Sequence, residues 1–209
     1  MGLPIEVASG LLLSLLSPSK CAACGERVPR RSVFCAPCAR TVEPAPKGPV
    51  RAPFAYGGAL ARAITRFKYE DCPHLAVPLG QLLLRVVPEL RGEGVRRLVP
   101  VPLHRARLAE RGYNPPALLA RPVAEALGVA LSPLGLRRIR DTPRQAHLDR
   151  RLRLANVEGA FEARQTFEGE HVVLVDDVCT TGSTLRVCAG ALRAAGAVRV
   201  TGLVLALAL

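Results

Sequence analysis

Apolar residues along the chain fall into short stretches with two kinds of periodicity. Continuous apolar runs, typical of strands buried on both faces, alternate with stretches that have the i, i+3, i+4 spacing of amphipathic helices. The predicted strands are 53–56, 97–101, 134–139, 171–176 and 198–207, and the predicted helices are 4–16, 59–67, 75–87, 117–127, 149–155 and 183–195. Pro122 implies that its helix starts late or is kinked. This alternation predicts an α/β fold with a parallel sheet flanked by helices.

Four cysteines near the N-terminus are spaced as two CxxC pairs, Cys21 with Cys24 and Cys35 with Cys38. Two such pairs, joined by a hairpin, can bring four thiolates to one tetrahedral zinc ion. A redox pair would need a strand–motif–helix context that is absent here, and an iron–sulfur site is a less economical alternative. We therefore expect a closed, structural zinc site in a reducing compartment.

Composition shifts after this cysteine-rich segment and divides the chain. Residues 41–53 contain four prolines and read as a semi-rigid linker or an extended lead-in. We therefore predict an N-terminal helix and zinc-binding module over 1–40, a linker over 41–53 and an α/β domain over 54–209. The longest apolar stretches, 11–16 and 200–209, are shorter than the roughly 18–20 residues of a membrane-spanning helix, so we predict no transmembrane segment.

The sequence VVLVDDVCTTGSTL, residues 172–185, carries the clearest chemical signal. A buried strand ends in two adjacent carboxylates, Asp176 and Asp177, where open α/β sheets bind their ligands. A polar loop then leads into a helix, offering hydroxyls and backbone N–H groups to a phosphate. The loop residues are Thr180, Thr181, Gly182, Ser183 and Thr184. Carboxylates beside a phosphate would have to bind something else, such as sugar hydroxyls or a Mg²⁺ ion.

Two other nucleotide-binding classes do not fit this sequence. A P-loop requires a Lys followed by Ser or Thr, whereas the three lysines, Lys20, Lys47 and Lys68, precede Cys, Gly and Tyr. The chain also has no Gly-x-Gly-x-x-Gly run for a dinucleotide.

Positive charge is concentrated in the middle of the chain. The formal net charge is +12, and residues 91–153 carry +9 of it through 14 arginines and five acidic residues. Clustered arginine indicates a phosphate-rich partner, although an ordinary solvated basic face would also explain it. Arg105 and Arg107 follow the strand 97–101 and could neutralise a departing pyrophosphate. His104 beside them is best explained as a turn residue, with general acid or metal neighbour as alternatives.

The DDVCTTGST segment resembles the phosphoribosyl-pyrophosphate (PRPP) loop of type I phosphoribosyltransferases. That resemblance implies that Asp176 and Asp177 are the catalytic acids that hold the ribose hydroxyls, and that residues 180–184 surround the 5′-phosphate. It also implies a pyrophosphate loop after the strand 97–101, with Arg105, Arg107 and Arg111 as its basic residues.

The order of motifs along the whole chain resembles the ComF family, in which a zinc-binding N-terminus precedes a phosphoribosyltransferase-like domain. The paired CxxC motifs are followed by PVPLH, RGYN, TPRQ, RxxN, GAF and the PRPP loop. Further family-motif residues, without an assigned role, are Tyr113, Asn114, Gln145, Arg153 and Asn156. The family usually carries Gln after Asn114, where this chain has Pro115-Pro116, so a donor side chain and a backbone N–H are lost there.

The ComF resemblance implies a role in DNA uptake during natural transformation. The expected ligands are PRPP or a related phosphoribosyl compound with Mg²⁺, besides the structural zinc. The expected partners are single-stranded DNA and proteins of the DNA-uptake machinery, in the cytoplasm or at the inner face of the membrane. Tyr113 is the only aromatic residue in the basic region, so DNA binding would be mostly electrostatic. An active phosphoribosyltransferase that uses an unidentified base is the alternative, and the sequence leaves turnover open.

Overall fold

The computed structural model describes residues 19–140 and 159–208. The predicted helices 4–16 and 149–155 lie outside the described residues, as do Gln145, Arg153 and Asn156.

A six-stranded parallel sheet forms the centre of the molecule. Its strand order is β1–β8–β7–β3–β4, and β2 also pairs with β8. The strands are β1 (Val50–Arg51), β2 (Phe54–Ala55), β3 (Val95–Pro100), β4 (Ala130–Leu131), β7 (His171–Cys179) and β8 (Arg199–Leu207). The central strand β7 is completely buried over residues 172–175 because helices cover both faces of the sheet. Since the strands are parallel, their carboxyl ends meet at one edge.

The helices divide the core into two layers. One apolar cluster packs on the sheet face that carries Val173 and Val175, and the other packs around Val172 and Leu174. The helices of the described residues are α1 (Ala36–Ala39), α2 (Gly58–Tyr69), α3 (Ala76–Leu83), α4 (Val87–Leu90), α5 (Arg105–Arg111), α6 (Pro115–Leu127) and α7 (Ser183–Ala194). Alternating side chains of β7 therefore enter different layers, and this alternation separates the two carboxylates described below.

A small antiparallel pair lies beside the main sheet. It consists of β5 (Leu136–Arg138) and β6 (Phe161–Ala163), which are joined through the residues that the structure does not describe. A strand was predicted over 134–139 but none at 161–163, because three residues are too few for a periodic signal.

The cysteine-rich segment packs directly on α2. The Thr41 hydroxyl donates to the Cys38 carbonyl oxygen at 2.8 Å and accepts from Ala59 N–H at 2.9 Å. A Cβ on Gly58 would lie 2.1 Å from the Thr41 carbonyl oxygen, so this approach requires glycine. Val50–Arg51, inside the predicted linker, already pairs with β8. The main sheet therefore begins before residue 54.

Several elements differ from their predicted form. The predicted helix 75–87 is broken into the 3-10 segments Pro73–Leu75 and Leu84–Val86 and the helices α3 and α4, with Pro88 at the second position of α4. The helix α6 begins at Pro115 and continues through Pro122, so the predicted late start is wrong. A turn was expected after His104, but residues 105–111 form α5. None of its residues is buried, which explains why no apolar pattern revealed it.

Candidate functional site

The two carboxylates lie within the carboxyl-terminal part of β7. Asp177 is buried, with 8% of its surface exposed, and Asp176 is partly exposed. Lys68, near the end of α2, places its Nζ 2.7 Å from Asp177 Oδ1. The Asp177 backbone N–H donates to Asp176 Oδ1 at 2.8 Å. The predicted acid pair is therefore accompanied by a third charged group that the sequence analysis did not assign.

The surroundings of the acid pair change its proton affinity. Burial, followed by the adjacent charge of Asp177, raises the pKa of Asp176 to about 7, although Lys68 and Arg138 act in the opposite direction. Burial alone would lower the pKa of Lys68, but the charge and hydrogen bond of Asp177 raise it. Lys68 is thus a stable ammonium group, while Asp176 exchanges a proton near neutral pH. Such a carboxyl can donate as well as accept hydrogen bonds with hydroxyl groups of a ligand.

The polar loop follows directly and ends at the N-terminus of α7. Gly182 has a φ of 74°, in the left-handed region that glycine adopts without strain. The Thr181 and Ser183 hydroxyls are 2.9 Å apart, and Ser183 N–H lies 3.4 Å from Thr181 Oγ1. Thr180 is exposed and Thr184 is partly exposed. The hydroxyls, the N–H groups and the positive end of a twelve-residue helix can together bind a phosphate.

A cavity of about 600 Å³, here called the hairpin cavity, lies between residues 102–108 and the strand β5. Four arginines line it: Arg105, Arg137, Arg138 and Arg164. Its walls also contain exposed apolar side chains, with Leu134 72% and Ile139 46% exposed. The charge of Arg138 lowers the pKa of Asp176, but less than that of Lys68 does, and neither aspartate lines this cavity. The cavity is suited to an anionic ligand that also has an apolar part.

The three arginines predicted to act together lie in two different cavities. Arg105 lines the hairpin cavity, whereas Arg107 and Arg111 line a second cavity of about 310 Å³ together with Lys68 and Tyr69. The Arg111 guanidinium lies 5.2 Å from the centre of the Tyr69 ring. The helix α5 causes this division because it points its side chains in several directions.

Tyr113 holds the end of α2. Its ring stacks on Phe67 with 5.5 Å between centroids, and its hydroxyl donates to the Phe67 carbonyl oxygen. Burial raises the pKa of this hydroxyl. Tyr113 therefore packs against the residue that precedes Lys68.

Asn114 is the N-cap residue of α6 and also lines the hairpin cavity. Its Nδ2 donates to the Val101 carbonyl oxygen at 3.1 Å, but its buried Oδ1 has no hydrogen-bond partner among the described residues. An N-cap side chain normally accepts from the second or third helical N–H. Pro116 removes the N–H at the second position, and Ala117 N–H donates to the Asn114 backbone oxygen instead.

His104 is the N-cap residue of α5, where its side chain accepts from Ala106 N–H at 3.4 Å, and it also lines the hairpin cavity.

The four predicted cysteine ligands come together. The sulfur atoms of Cys21, Cys24, Cys35 and Cys38 all lie within 4.8 Å of one another. The Cys24–Cys35 distance is 3.7 Å, close to the roughly 3.8 Å between thiolates around a tetrahedral zinc ion with 2.3 Å bonds. The cluster can therefore hold a metal such as zinc. The hairpin predicted between the two pairs instead surrounds the first pair, where Lys20 bridges to Arg27.

The thiols of this cluster differ in proton affinity. Burial, with further contributions from the neighbouring thiols, raises the pKa of Cys38 to about 12. Burial also acts on Cys21, but backbone hydrogen bonds lower its pKa to about 6. Among the described residues, Arg62 makes a weak cationic contact with this cluster, with its Nη2 3.8 Å from Cys38 Sγ. A bound cation would compensate for several thiolates at once.

Comparison with known proteins places this chain in a family. A family model described as a phosphoribosyl transferase domain matches residues 117–208. DNA utilization protein YhgH of Salmonella typhimurium is 35% identical over 171 residues, covering 80% of this chain and 74% of that protein. Competence protein F of Haemophilus influenzae is 32% identical over 144 residues, covering 66% of this chain and 63% of that protein. The chain belongs to the ComF family.

Membership of the ComF family confirms the resemblance of the motifs. The matched domain and the parallel sheet flanked by helices confirm the predicted type I phosphoribosyltransferase-like fold. The purine phosphoribosyltransferase of Pyrococcus horikoshii is a structural neighbour with 17% identity and a TM-score of 0.40, covering 62% of this chain and 72% of that chain. Within residues 19–140 and 159–208, no helix is long and apolar enough to cross a membrane.

Lys68 is a residue of the candidate site that the sequence motifs did not indicate. A usable signal was its rarity, because 26 of the 29 basic residues are arginine. The contact with Asp177 joins positions far apart in the chain, so no local motif indicated it.

Proposed function

We propose that this ComF-family protein binds PRPP or a related phosphoribosyl ligand and acts in DNA uptake, handling incoming single-stranded DNA in the cytoplasm. The observation that carries the proposal is the arrangement at the carboxyl end of β7, where an acid pair and a hydroxyl-rich loop adjoin a helix N-terminus. The names of the relatives, DNA utilization protein and Competence protein F, support the role in DNA uptake.

Each part of a phosphoribosyl ligand has a counterpart in this arrangement. Residues 180–184 would hold the 5′-phosphate, and Asp176 and Asp177 would accept hydrogen bonds from the ribose hydroxyls. The arginines of the hairpin cavity would face the pyrophosphate, with Mg²⁺ neutralising part of its charge. The four-Cys cluster would hold a structural zinc ion away from this site.

The proposed binding of single-stranded DNA is supported by charged side chains more than by aromatic ones. Arg105 and Arg137 line the hairpin cavity and are exposed, whereas Tyr113 is engaged with Phe67. Binding would therefore come mainly from phosphate contacts. Its affinity, measured by fluorescence anisotropy, should fall linearly with salt concentration on logarithmic axes. A salt-independent affinity, or no binding at low salt, would contradict the DNA proposal.

A thermal-shift experiment tests the ligand proposal. PRPP with Mg²⁺ should raise the melting temperature of the wild type, and the double variant Asp176→Asn/Asp177→Asn should lose the shift. Glu125→Gln, which changes one exposed carboxylate on α6, serves as the control and should keep it. A double variant that still responds like the wild type would show that the pocket is wrongly assigned.

The alternative function is phosphoribosyl transfer to an unidentified base. It is favoured by the four arginines that line the hairpin cavity, whose charges could stabilise a departing pyrophosphate. In that reaction a nitrogen nucleophile forms a bond to C1 of the ribose as the C1–O bond to pyrophosphate breaks. Release of pyrophosphate from PRPP, measured across a panel of bases, distinguishes transfer from binding alone.

A further inference from the structure

The ion pair between Lys68 and Asp177 is a fixed part of the candidate site. Nζ and Oδ1 are 2.7 Å apart, and only 20% of the Lys68 side chain and 11% of the Asp177 side chain are exposed. Most ion pairs of lysine are exposed and weak, whereas a buried pair loses much of its hydration and is kept only with good geometry.

Neighbouring contacts hold Lys68 in position. Phe67 is fully buried, and its carbonyl oxygen accepts the hydrogen bond from Tyr113. One residue before Phe67, Arg66 Nη1 donates to the Ala22 carbonyl oxygen at 3.0 Å. The end of α2 is therefore anchored to both the cysteine-rich segment and the loop before α6. A lysine on such a fixed helix end cannot easily move away from its partner.

One of the two negative charges of the acid pair is already compensated. Asp176 and Asp177 are adjacent in sequence and would repel each other and any phosphate if both were ionised without compensation. Lys68 compensates for Asp177, whereas burial and the charge of Asp177 raise the pKa of Asp176 and so favour its neutral form. One oxygen of Asp176 also accepts from the Asp177 backbone N–H.

Direct coordination of a divalent ion by Asp177 does not fit these contacts. Mg²⁺ requires oxygen ligands at about 2.1 Å in near-octahedral geometry. Lys68 Nζ already lies on Asp177 Oδ1, which leaves only Oδ2 of this largely buried carboxylate for a second cation, and that cation would be repelled by the nearby ammonium group. Any Mg²⁺ would therefore arrive on the pyrophosphate of the ligand and not on this carboxylate.

We infer that Lys68 is the built-in counter-cation of the acid pair, so that the pocket binds the 5-phosphoribosyl group without a divalent metal ion. This inference rests on the proposed function and specifies its ligand requirements. It extends the ligand class from PRPP to ribose 5-phosphate and nucleoside 5′-monophosphates, which lack a pyrophosphate. Lysine suits this role because its ammonium group is compact, whereas the larger planar guanidinium of arginine is not interchangeable with it.

Calorimetric titration with ribose 5-phosphate tests this role. The titration is done with MgCl₂ and in buffer freed of divalent ions by a chelating resin, with zinc content checked in both. Wild-type affinity should agree within about twofold between the two buffers. Lys68→Met should bind about tenfold more weakly without Mg²⁺ and recover part of the loss with it, because an external cation then replaces the missing charge. Lys47→Met removes the same charge from an exposed position and should match the wild type.

The outcomes separate the inference from the proposed function. A Lys68→Met variant with wild-type affinity in the metal-free buffer would overturn the inference. If that variant fails to fold, the wild-type protein still tests the inference. A tenfold higher affinity of the wild type for ribose 5-phosphate on adding Mg²⁺ would equally overturn the inference. Binding of PRPP with Mg²⁺ but no binding of ribose 5-phosphate would leave the proposed function standing and overturn the inference. Absence of binding by either ligand would overturn both.

Discussion

The four-Cys cluster and the acid pair are both concentrations of acidic groups, but they are compensated in different ways. The cluster gathers four sulfur atoms within 4.8 Å, and its cationic contact among the described residues is the weak one from Arg62 at 3.8 Å. The acid pair has Lys68 at 2.7 Å from Asp177. The fold thus supplies a cation at one site, whereas the other could be completed by a metal such as zinc.

This difference leads to different expectations for the two sites. Thiolates without a metal repel one another, so metal binding and folding of the cysteine-rich segment should be coupled. A carboxylate neutralised by a fixed lysine can instead be present in the folded protein before any ligand arrives.

The largest effect is expected from removing a thiol of the cluster. Cys38→Ser should abolish binding of about one zinc ion per chain and cost more than about 3 kcal/mol of stability, or roughly 10 °C in melting temperature. Elemental analysis measures the zinc content, and thermal denaturation measures the melting temperature. Cys72→Ser, outside the cluster, should keep its zinc. Full zinc content in Cys38→Ser would show that the four sulfurs are not the ligands.

A double-mutant cycle tests the internal compensation of the acid pair. Asp177→Ala leaves the buried ammonium of Lys68 without its partner and should cost about 3 kcal/mol. Adding Lys68→Met should recover at least half of that loss, because no uncompensated charge remains. Urea denaturation gives the four free energies. Additive losses would mean that the two side chains do not stabilise each other.

A smaller loss is expected at Gly182, where φ is 74°. Gly182→Ala should cost about 1 kcal/mol because a left-handed conformation is strained for alanine, while its Cβ would meet only Cys179 Sγ at 3.8 Å. Gly190→Ala in the interior of α7 should instead be neutral or stabilising. Chemical denaturation measures the free energies of unfolding of the two variants. Equal stabilisation by both substitutions would contradict the backbone conformation of the loop.

A pH dependence of stability is also expected at Asp176. Its pKa is raised from 3.8 to about 7, so the folded state binds this proton more tightly than the unfolded state. The resulting loss of stability is present above pH 7 and disappears as the pH falls from 7 towards 4. Asp176→Asn should therefore raise the melting temperature more at pH 8 than at pH 5. An equal change at both pH values would contradict the raised pKa.

Local patterns were sufficient to predict the parts of the site that are continuous in sequence. The apolar run before Asp176 and the polar residues after it identify the strand, the loop and the helix start. The two CxxC spacings identify the cysteine cluster in the same way. Each of these signals lies within a short window, where periodicity and motif spacing are informative.

Contacts between distant positions could not be predicted in this way. The approach of Lys68 to Asp177 depends on how α2 packs across β7, and the division of Arg105 from Arg107 depends on α5. That helix has no buried residue, so its sequence carries no apolar stripe. Tertiary packing determines these features, and only the structure reveals them.

The most direct test of the site is a crystal structure of the protein with PRPP and Mg²⁺. We expect the 5′-phosphate at the hydroxyls and N–H groups of residues 180–184, and the ribose hydroxyls at the acid pair. Lys68 should remain within hydrogen-bond distance of Asp177, with Mg²⁺ on the pyrophosphate. A ligand bound elsewhere, or a Mg²⁺ ion on Asp177 with Lys68 displaced, would contradict this assignment.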